Sequence, residues 1–374
     1  MRQVVKVLLC SPYLSSKDIV KGGINTWGRY VMEYATEDGM SDVEILPISF
    51  DRNMSPSEEK SILSRFVNGI KAYRTPVKDA VSLMKSADPD VLHICTSAGY
   101  GLLRDIVLLK KAKIMGIKSV VHFHFGRIPD LQLQNNWEWK LISKVIKLCD
   151  TAVVMNRPSE KALLAAGFTN VKYLPNPLAM NVLKRIEGMK DSYKRSPRRL
   201  LYAGHVIKTK GVYELVEACT QIQNIELRIV GKCMPDVESD LKAIASEHNQ
   251  GKWLNIVGEV DHDGVLAELL QADMLVFPSY TEGFPNVILE AMACGCPIVS
   301  SDVGAIPEIL EMNGTPCGVC FKPKSVDEIR TSVMSVCDND QLKKQVADNA
   351  ARRLRENYIM TIVWRNLINI WKFN

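Results

Sequence analysis

One stretch in the second half of the chain, residues 278–310 with the sequence PSYTEGFPNVILEAMACGCPIVSSDVGAIPEIL, constrains the fold most. The apolar run 274–277 before it predicts a short buried strand. A helix is expected next, because Pro285 can occupy its first turn and Gly295 can end it. A second strand is expected at 298–300, so the stretch predicts a βαβ unit with parallel strands.

The loop between this strand and helix predicts a binding site, since ligands of βαβ units lie where strand ends meet helix N-termini. The N–H groups of Asn286 and Val287, together with the helix dipole, favour an anion such as phosphate. Glu290 lies one helical turn further on, and Glu282 lies in the loop itself. An anion cradle beside two carboxylates suits a sugar nucleotide. The alternative is two surface glutamates around an ordinary amphipathic helix.

The segment EGFPNVILEAMACGCPIVSSDVGAIPEIL resembles the signature of retaining glycosyltransferases of family 4, in glycosyl transferases group 1. The resemblance covers nearly the whole chain and implies an α/β architecture, the GT-B fold. This fold has two Rossmann-like, doubly wound parallel-sheet domains facing across a cleft, and a C-terminal helix that crosses back to the first domain. The implied parts are an acceptor-side domain at 1–180, a linker at 181–199, a nucleotide-sugar-binding domain at 200–355 and the returning helix at 356–374.

The resemblance also implies roles for individual residues. Glu282 would contact the donor sugar, Glu290 would accept hydrogen bonds from ribose hydroxyls, and His124 would reach the sugar from the first domain. The catalytic residues it implies are Glu282 and His124, and the donor-binding residues are Gly23, His205, Lys210, Gly283, Phe284, Asn286, Val287 and Glu290. Gly22 and Arg127 are expected on the acceptor side.

Two of these positions have alternatives. His124 ends the strand-like run VVHFHFG, where a structural histidine at a sheet edge is the other interpretation, and His122 is interpreted as structural. His205 stands where the family has an arginine, so diphosphate binding is expected to depend on Lys210, with help from Lys208. Exposed loop lysines without such a role are the alternative for both lysines.

The composition fits a globular protein of two domains. At 374 residues the chain can bury two cores, and its 47% apolar and 24% charged residues are ordinary for such proteins. The N-terminal apolar run is too short for a signal peptide, and no run predicts a membrane span. The ten cysteines are scattered along the sequence, which indicates free thiols in a reducing cytoplasm. The tail residues Ile362, Val363, Leu367, Ile370 and Trp371 have helical spacing, with an amphipathic membrane helix as the alternative to packing.

No metal or cofactor is expected. The DxD spacings at Asp88 and Asp90, Asp261 and Asp263, and Asp338 and Asp340 are interpreted as caps and loops, and the CxC at 294–296 as a small-residue turn. The net charge of +5 is modest, and nucleic acid is not an expected partner. The basic clusters at 110–113 and 194–199 either touch anionic lipid headgroups or are simply solvated.

Together the residues and the resemblance predict a metal-independent, retaining hexosyltransferase. It would move sugar from a nucleoside-diphosphate sugar, most commonly UDP-linked in such families, to a glycan or lipid-linked acceptor for surface polysaccharide or glycolipid synthesis. The expected location is cytoplasmic, at the inner face of the membrane. A non-catalytic partner subunit and a sugar-nucleotide epimerase remain alternatives, whereas an NAD-dependent dehydrogenase would need the missing GxGxxG motif.

Overall fold

The computed structural model describes residues 4–12, 23–36, 42–50, 62–246 and 251–373, and gives their side chains except at 62–73. The chain forms two compact units, Met1–Pro175 with Val363–Asn374, and Asn176–Ile362. The segment 181–199 was expected to be a linker. It instead belongs to the second unit, because the helix Met180–Met189 buries Val182 and Ile186.

The first unit is built on one six-stranded parallel sheet. Its strands, which run in the spatial order β2-β1-β3-β4-β5-β6, are β1 (Val5–Ser11), β2 (Val43–Ser49), β3 (Val91–Thr96), β4 (Lys118–Phe123), β5 (Thr151–Val154) and β6 (Val171–Tyr173). The helices are α1 (Gly23–Ala35), α2 (Ile62–Ala87), α3 (Gly101–Ile114), α4 (Ile128–Gln134), α5 (Trp137–Leu148) and α6 (Arg157–Ala165). Every residue of β3 is buried, as expected for a parallel sheet covered on both faces.

The second unit has its own six-stranded parallel sheet. Its strands are β7 (Arg199–Ala203), β8 (Glu226–Val230), β9 (Leu254–Gly258), β10 (Met274–Phe277), β11 (Ile298–Ser301) and β14 (Val319–Phe321), with a two-stranded ribbon of β12 (Glu311–Met312) and β13 (Thr315–Pro316). Its helices are α7 (Met180–Met189), α8 (Val212–Thr220), α9 (Pro235–Ser246), α10 (His262–Gln271), α11 (Asn286–Ala293), α12 (Ile306–Ile309), α13 (Val326–Cys337) and α14 (Asp340–Asn357), and two short 3-10 turns lie at Lys190–Ser192 and Lys208–Lys210.

The strand order of the second unit reverses between β7 and β10. From β7 the sheet grows through β8 to β9, and from β10 it grows the opposite way through β11 to β14. In open α/β sheets the crevice outside the carboxyl ends of two such strands is where ligands bind. The loops after β7 and β10 are therefore the positions at which a site of this unit is expected.

The predicted tail helix is present as α15 (Met360–Trp371), and its residues from Val363 onward belong to the first unit. Val363 and Leu367 are buried there, and the buried Trp371 donates a hydrogen bond from Nε1 to His93 Nδ1 at 2.9 Å. Because this apolar face is buried within the first unit, the alternative that it lies on a membrane is wrong.

Candidate functional site

The loops after β7 and β10 are held against each other at the reversal point of the second sheet. Gly211 has φ +71, and a Cβ there would overlap the carbonyl oxygen of Pro278, so the close approach requires glycine. Tyr280 donates its N–H to Thr209 O at 3.0 Å and its hydroxyl to Glu214 at 2.5 Å. Burial, followed by the Glu214 carboxylate, raises the pKa of Tyr280 to about 12, so this hydroxyl stays a donor at neutral pH.

These loops bring together two of the residues that the sequence predicts to bind the donor. Lys210 Nζ and Glu282 Oε1 form an ion pair, and their side chains are 26% and 12% exposed. The loop around Glu282 is fixed from the other side, since a Cβ on Gly304 would overlap the Glu282 carbonyl oxygen and Ala305 N donates to Gly283 O at 3.1 Å. A cation and a carboxylate are thus paired at the position where α/β sheets bind ligands.

The start of α11 faces the same loop. The helix begins at Asn286, one residue after the position expected from Pro285, which is the N-cap and provides no side-chain cap. Within the described parts of the chain, the backbone N–H groups of Asn286 and Val287 donate to no other residue. The buried Asn176 positions this turn by donating from Nδ2 to Phe284 O at 3.1 Å. The two N–H groups are therefore available to an anion.

Glu290, one turn further along α11, belongs to a network of side-chain hydrogen bonds. Its Oε1 lies 2.9 Å from His262 Nε2, and Arg185 Nη2 lies 3.0 Å from His262 Nδ1. Arginine only donates, so Nδ1 must accept and the ring proton lies on Nε2, from which it is donated to Glu290. Arg185 also pairs with Asp263 at 2.6 Å. Glu290 is only 7% exposed, so this hydrogen-bond network fixes the direction in which its carboxylate points.

Two further predicted residues lie in the loop after β7. The side chains of His205 and Lys208 are both exposed. The backbone at His205 is held by the Tyr202 hydroxyl, which donates to its carbonyl oxygen at 2.7 Å. Burial, with a smaller contribution from Glu282, raises the pKa of Tyr202 above its ordinary range, so the hydroxyl remains protonated. The loop thus has a fixed backbone, from which the side chains of His205 and Lys208 extend into solvent.

His124 lies in the first unit, half-buried beside the buried rings of His122 and Trp27. Its ring centroid is 3.9 Å from that of His122 and 5.1 Å from that of Trp27. Burial, then the neighbouring His93, lowers the pKa of His124 to about 3, and burial likewise lowers the pKa of His93 to about 3. Both rings are therefore neutral at physiological pH. Within the described residues, neither ring nitrogen of His124 has a hydrogen-bond partner.

Three further residues of the first unit were predicted to belong to the site, namely Gly22, Gly23 and Arg127. Gly23 begins α1, whereas Gly22 lies outside the described residues. Arg127 Nη2 donates to Glu138 Oε1 at 2.7 Å, and the same oxygen accepts the N–H of Gly99 at 2.8 Å. Arg127 therefore already has an anionic partner, with which an acceptor phosphate would have to compete.

Three residues of the second-unit site were not identified from the sequence, namely Asn176, Arg185 and His262. Asn176 had a detectable signal, because two prolines flank it in YLPNPL. His262 lies between Asp261 and Asp263, and the predicted capping role of Asp261 is confirmed, since its side chain accepts the N–H of Gly264 at 2.7 Å. Arg185 lay in the segment interpreted as a linker, and its role depends on a partner 77 residues away.

Other features of the described chain bear on the expected chemistry. Across the described ranges, no three His, Cys, Asp or Glu side chains are grouped as metal ligands would be. All ten cysteines are free, and only Cys320 is exposed and Cys233 half-buried. None of the helices in the described part of the chain combines the length and the apolar character needed to cross a bilayer.

Comparison with known proteins places this chain beside sugar-transferring enzymes. Residues 187–353 match the family model described as Glycosyl transferases group 1. A glycogen synthase of Mycobacterium tuberculosis is 32% identical over 170 residues, which is 44% of this chain and 40% of that protein. The capsular polysaccharide biosynthesis glycosyltransferase CapH of Staphylococcus aureus is 25% identical over 251 residues, 64% of this chain and 67% of CapH. The chain thus spans less than half of the glycogen synthase.

The structural comparison covers both units. The crystal structure of Anabaena HepE in complex with UDP superimposes with a TM-score of 0.70 and 15% identity, covering 99% of this chain and 100% of HepE. At this identity the likeness shows the fold alone. The predicted architecture, two Rossmann-like parallel-sheet domains of the GT-B type, is confirmed.

Proposed function

We propose that this protein is a retaining glycosyltransferase that moves a hexose from a nucleoside-diphosphate sugar to a glycan or lipid-linked acceptor in surface polysaccharide or glycolipid synthesis. The observation that carries the proposal is the pairing of Lys210 and Glu282 on the two loops at the reversal point of the second sheet. The match of residues 187–353 to Glycosyl transferases group 1 and the polysaccharide role in the name of CapH support it.

The pairing suggests how the donor is received. A diphosphate would replace the Glu282 carboxylate as the partner of Lys210, and the N–H groups of Asn286 and Val287 would hold further phosphate oxygens. The released Glu282 carboxylate would then accept hydrogen bonds from sugar hydroxyls. Glu290, oriented by His262, would accept from the ribose hydroxyls. These cationic and N–H groups supply positive charge to the diphosphate without a metal ion, and for this reason we propose metal independence.

The same groups would promote the reaction itself. As the sugar–phosphate bond breaks, positive charge develops on the sugar ring and negative charge on the leaving diphosphate. Lys210 and the N-terminus of α11 favour the leaving group most when its charge is largest, which lowers the barrier. We propose that the acceptor hydroxyl attacks from the face the diphosphate leaves and transfers its proton to the departing phosphate oxygen. This route retains the anomeric configuration.

We propose uridine diphosphate as the nucleotide. HepE, whose fold this chain shares, was crystallised in complex with UDP, with UDP and glucose, and with UDP-glucose. We further propose that the enzyme works in the cytoplasm on a membrane-linked acceptor, which gives it peripheral contact with an anionic membrane surface.

The first test is a thermal-shift screen of UDP, GDP and ADP and of their sugars, with EDTA and with magnesium, on the wild type and Glu290→Gln. Ligand at 100 times its Kd should stabilise the folded state by about 2.7 kcal/mol. Stabilisation of the wild type by UDP in EDTA, weaker in Glu290→Gln, is expected. No shift with any nucleotide would contradict the proposal, and a shift only with magnesium would contradict metal independence.

Turnover separates the transferase from its two alternatives. A transferase releases nucleoside diphosphate when an acceptor is added, and NMR of the product linkage shows whether configuration is retained. An epimerase converts the donor sugar without an acceptor. A non-catalytic partner subunit, which His205 at the expected arginine position would fit, binds the nucleotide sugar but does not turn it over.

A further inference from the structure

One face of α3 in the first unit exposes large apolar side chains beside lysines. Tyr100 precedes the helix and is 69% exposed, and Leu103, Val107 and Ile114 are 52%, 44% and 79% exposed. These residues follow one another at intervals of three, four and seven, so they lie along one side of the helix. Together with Lys110 on the same side they form what we call the α3 stripe.

The stripe continues into neighbouring elements. Trp137, at the start of α5 and 50% exposed, stacks on Tyr100 with ring centroids 5.0 Å apart and an interplanar angle of 20°. On the other side, a groove of about 540 Å³ between α2 and α3 is lined by Val77, Val81 and the flanking cations Arg74 and Lys78. Apolar, aromatic and cationic groups therefore share one continuous surface.

The charge around the stripe is positive. Lys110, Lys111 and Lys113 are exposed, and no ion pair links any of them to another residue in the described ranges. Asp105, the acidic residue of α3, is fully buried and paired with Arg104 at 2.7 Å. Of the α2 side chains that the structure describes, Arg74, Val77, Lys78 and Val81 line the groove and Asp79 does not.

The second basic cluster of the sequence, residues 194–199, is arranged differently. Arg195 donates to the carbonyl oxygens of Ala272 and Cys294, at 2.5 and 2.8 Å. Arg198 pairs with Asp338 at 2.9 Å and Arg199 with Glu226 at 2.8 Å. The arginines of this cluster stabilise the second unit, which leaves Lys194 as its one exposed lysine, whereas the cluster on α3 offers three exposed lysines without ion pairs in the described ranges.

We propose that the α3 stripe is the surface by which this protein docks on a bilayer that contains anionic phospholipids. Lysines attract the negative headgroups, aliphatic side chains enter the boundary between headgroups and acyl chains, and Trp and Tyr rings favour that same boundary. The inference deepens the proposed function, because it rests on a membrane-linked acceptor and names the surface that meets the membrane.

The test is co-sedimentation of the full chain with phosphatidylcholine vesicles, with and without phosphatidylglycerol, at low and high salt. The wild type should bind the anionic vesicles and lose most of that binding at high salt, because salt screens the attraction. Each lysine near an anionic surface contributes about fivefold to binding, so Lys110→Gln/Lys111→Gln/Lys113→Gln should bind roughly 100-fold more weakly. Leu103→Ser/Ile114→Ser should weaken binding that persists at high salt.

Two matched controls keep this test specific. Lys344→Gln/Arg352→Gln/Arg355→Gln removes the same charge from exposed positions of α14, and Leu164→Ser changes a leucine that is 50% exposed on α6. Both controls should bind vesicles like the wild type. Equal binding by the α3 variants and the wild type, or no wild-type binding to anionic vesicles, would overturn the proposal.

Light scattering of the wild type and of Leu103→Ser/Ile114→Ser tests whether a second copy of this chain, and not a membrane, occupies the stripe. If the stripe joins two copies of this chain, the wild type is a dimer, the variant is a monomer and vesicle binding is unchanged, which also overturns the proposal. Vesicle binding requires no nucleotide, and UDP binding in solution requires no vesicle. Loss of vesicle binding alone would therefore contradict the docking surface, and absence of UDP binding alone would contradict the proposed reaction.

Discussion

His262 Nε2 lies 2.9 Å from Glu290 Oε1, and the ring nitrogen on its other side accepts a hydrogen bond from Arg185. Because Arg185 fixes the tautomer, His262 presents a proton to Glu290 and holds the carboxylate in one orientation. His262 is therefore a positioning residue for the proposed ribose contact, in the way that outer hydrogen bonds orient the groups that touch a ligand.

Replacing His262 with Phe should weaken donor binding about tenfold or more, because one hydrogen bond to a charged group is lost and Glu290 is freed to rotate. In steady-state kinetics we expect the KM for the donor to rise while kcat changes little. In calorimetry we expect the Kd for UDP to rise. His262→Gln, whose amide can still donate to Glu290, should recover most of the affinity.

Asp263→Asn is the matched control, since it removes the exposed partner of Arg185 and leaves the contact between His262 and Glu290 intact. It should bind UDP like the wild type. If His262→Phe and His262→Gln lose affinity equally, the hydrogen bond is not the reason, and the role of His262 is only to fill space.

Much of the second unit could be predicted from local sequence patterns. The strand Met274–Phe277 has the expected bounds, because a short apolar run is a signal within the segment itself. The helices Trp137–Leu148 and Pro235–Ser246 were not predicted. What buries a helix is the rest of the domain, which a single segment does not show.

In the candidate site, too, some residues could be identified from the sequence, whereas the contacts between them could not. Lys210 and Glu282 were each predicted as site residues, but their ion pair joins residues 72 positions apart and depends on which strands are neighbours. The role of Asn176 also required the fold, because its partner Phe284 is 108 positions away. Residue types near a motif can be identified from sequence, whereas the side chains that orient them come from distant segments.

The ion pair of Lys210 predicts a large effect on catalysis. Lys210→Gln removes the cation proposed to stabilise the leaving diphosphate, so kcat/KM should fall about 100- to 1000-fold. The pair is partly exposed, so the free energy of unfolding should fall by no more than about 1 kcal/mol. Steady-state assays of nucleotide release and urea unfolding measure the two effects.

Lys208→Gln is the comparison, because Lys208 lies in the same short turn but is exposed and has no ion pair with another described residue. Its effect on kcat/KM should stay below about fivefold, the size expected of an exposed charge. Equal losses in both variants would mean that the diphosphate is held by the general charge of the loop and not by Lys210.

The close approach of Gly211 to Pro278 predicts a stability effect. Gly211→Ala adds a Cβ where the Pro278 carbonyl oxygen lies and also strains a left-handed φ of +71, so we expect a loss of about 2 kcal/mol or more in the free energy of unfolding. UDP binding should weaken as well, because the two loops are pushed apart. Gly314→Ala is matched in backbone conformation, with φ +78 and open space around its Cβ, and should cost only about 1 kcal/mol. Equal costs in the two variants would show that the contact with Pro278 does not constrain the loop.

The buried histidines of the first unit predict a dependence of stability on acid. Burial, followed by the neighbouring His124 and His93, holds the pKa of His122 well below its ordinary value of about 6.5. In the pH range below that value, the unfolded chain binds a proton at this position and the folded chain does not. The stability contribution of the neutral ring is therefore complete above about pH 6.5 and is lost as the pH falls.

His122→Leu removes this titrating group from the core, where neither of its ring nitrogens has a partner among the described residues. Between about pH 4 and 6, the free energy of unfolding of the wild type should fall more steeply than that of the variant, by up to about 1.4 kcal/mol per pH unit for the one proton removed. Urea unfolding at a series of pH values measures both slopes. Above about pH 7 the two proteins should change in parallel, which separates the proton effect from any constant cost of repacking the core. Parallel lines over the acidic range as well would mean that His122 takes up a proton within the folded state, so that burial does not keep this ring neutral.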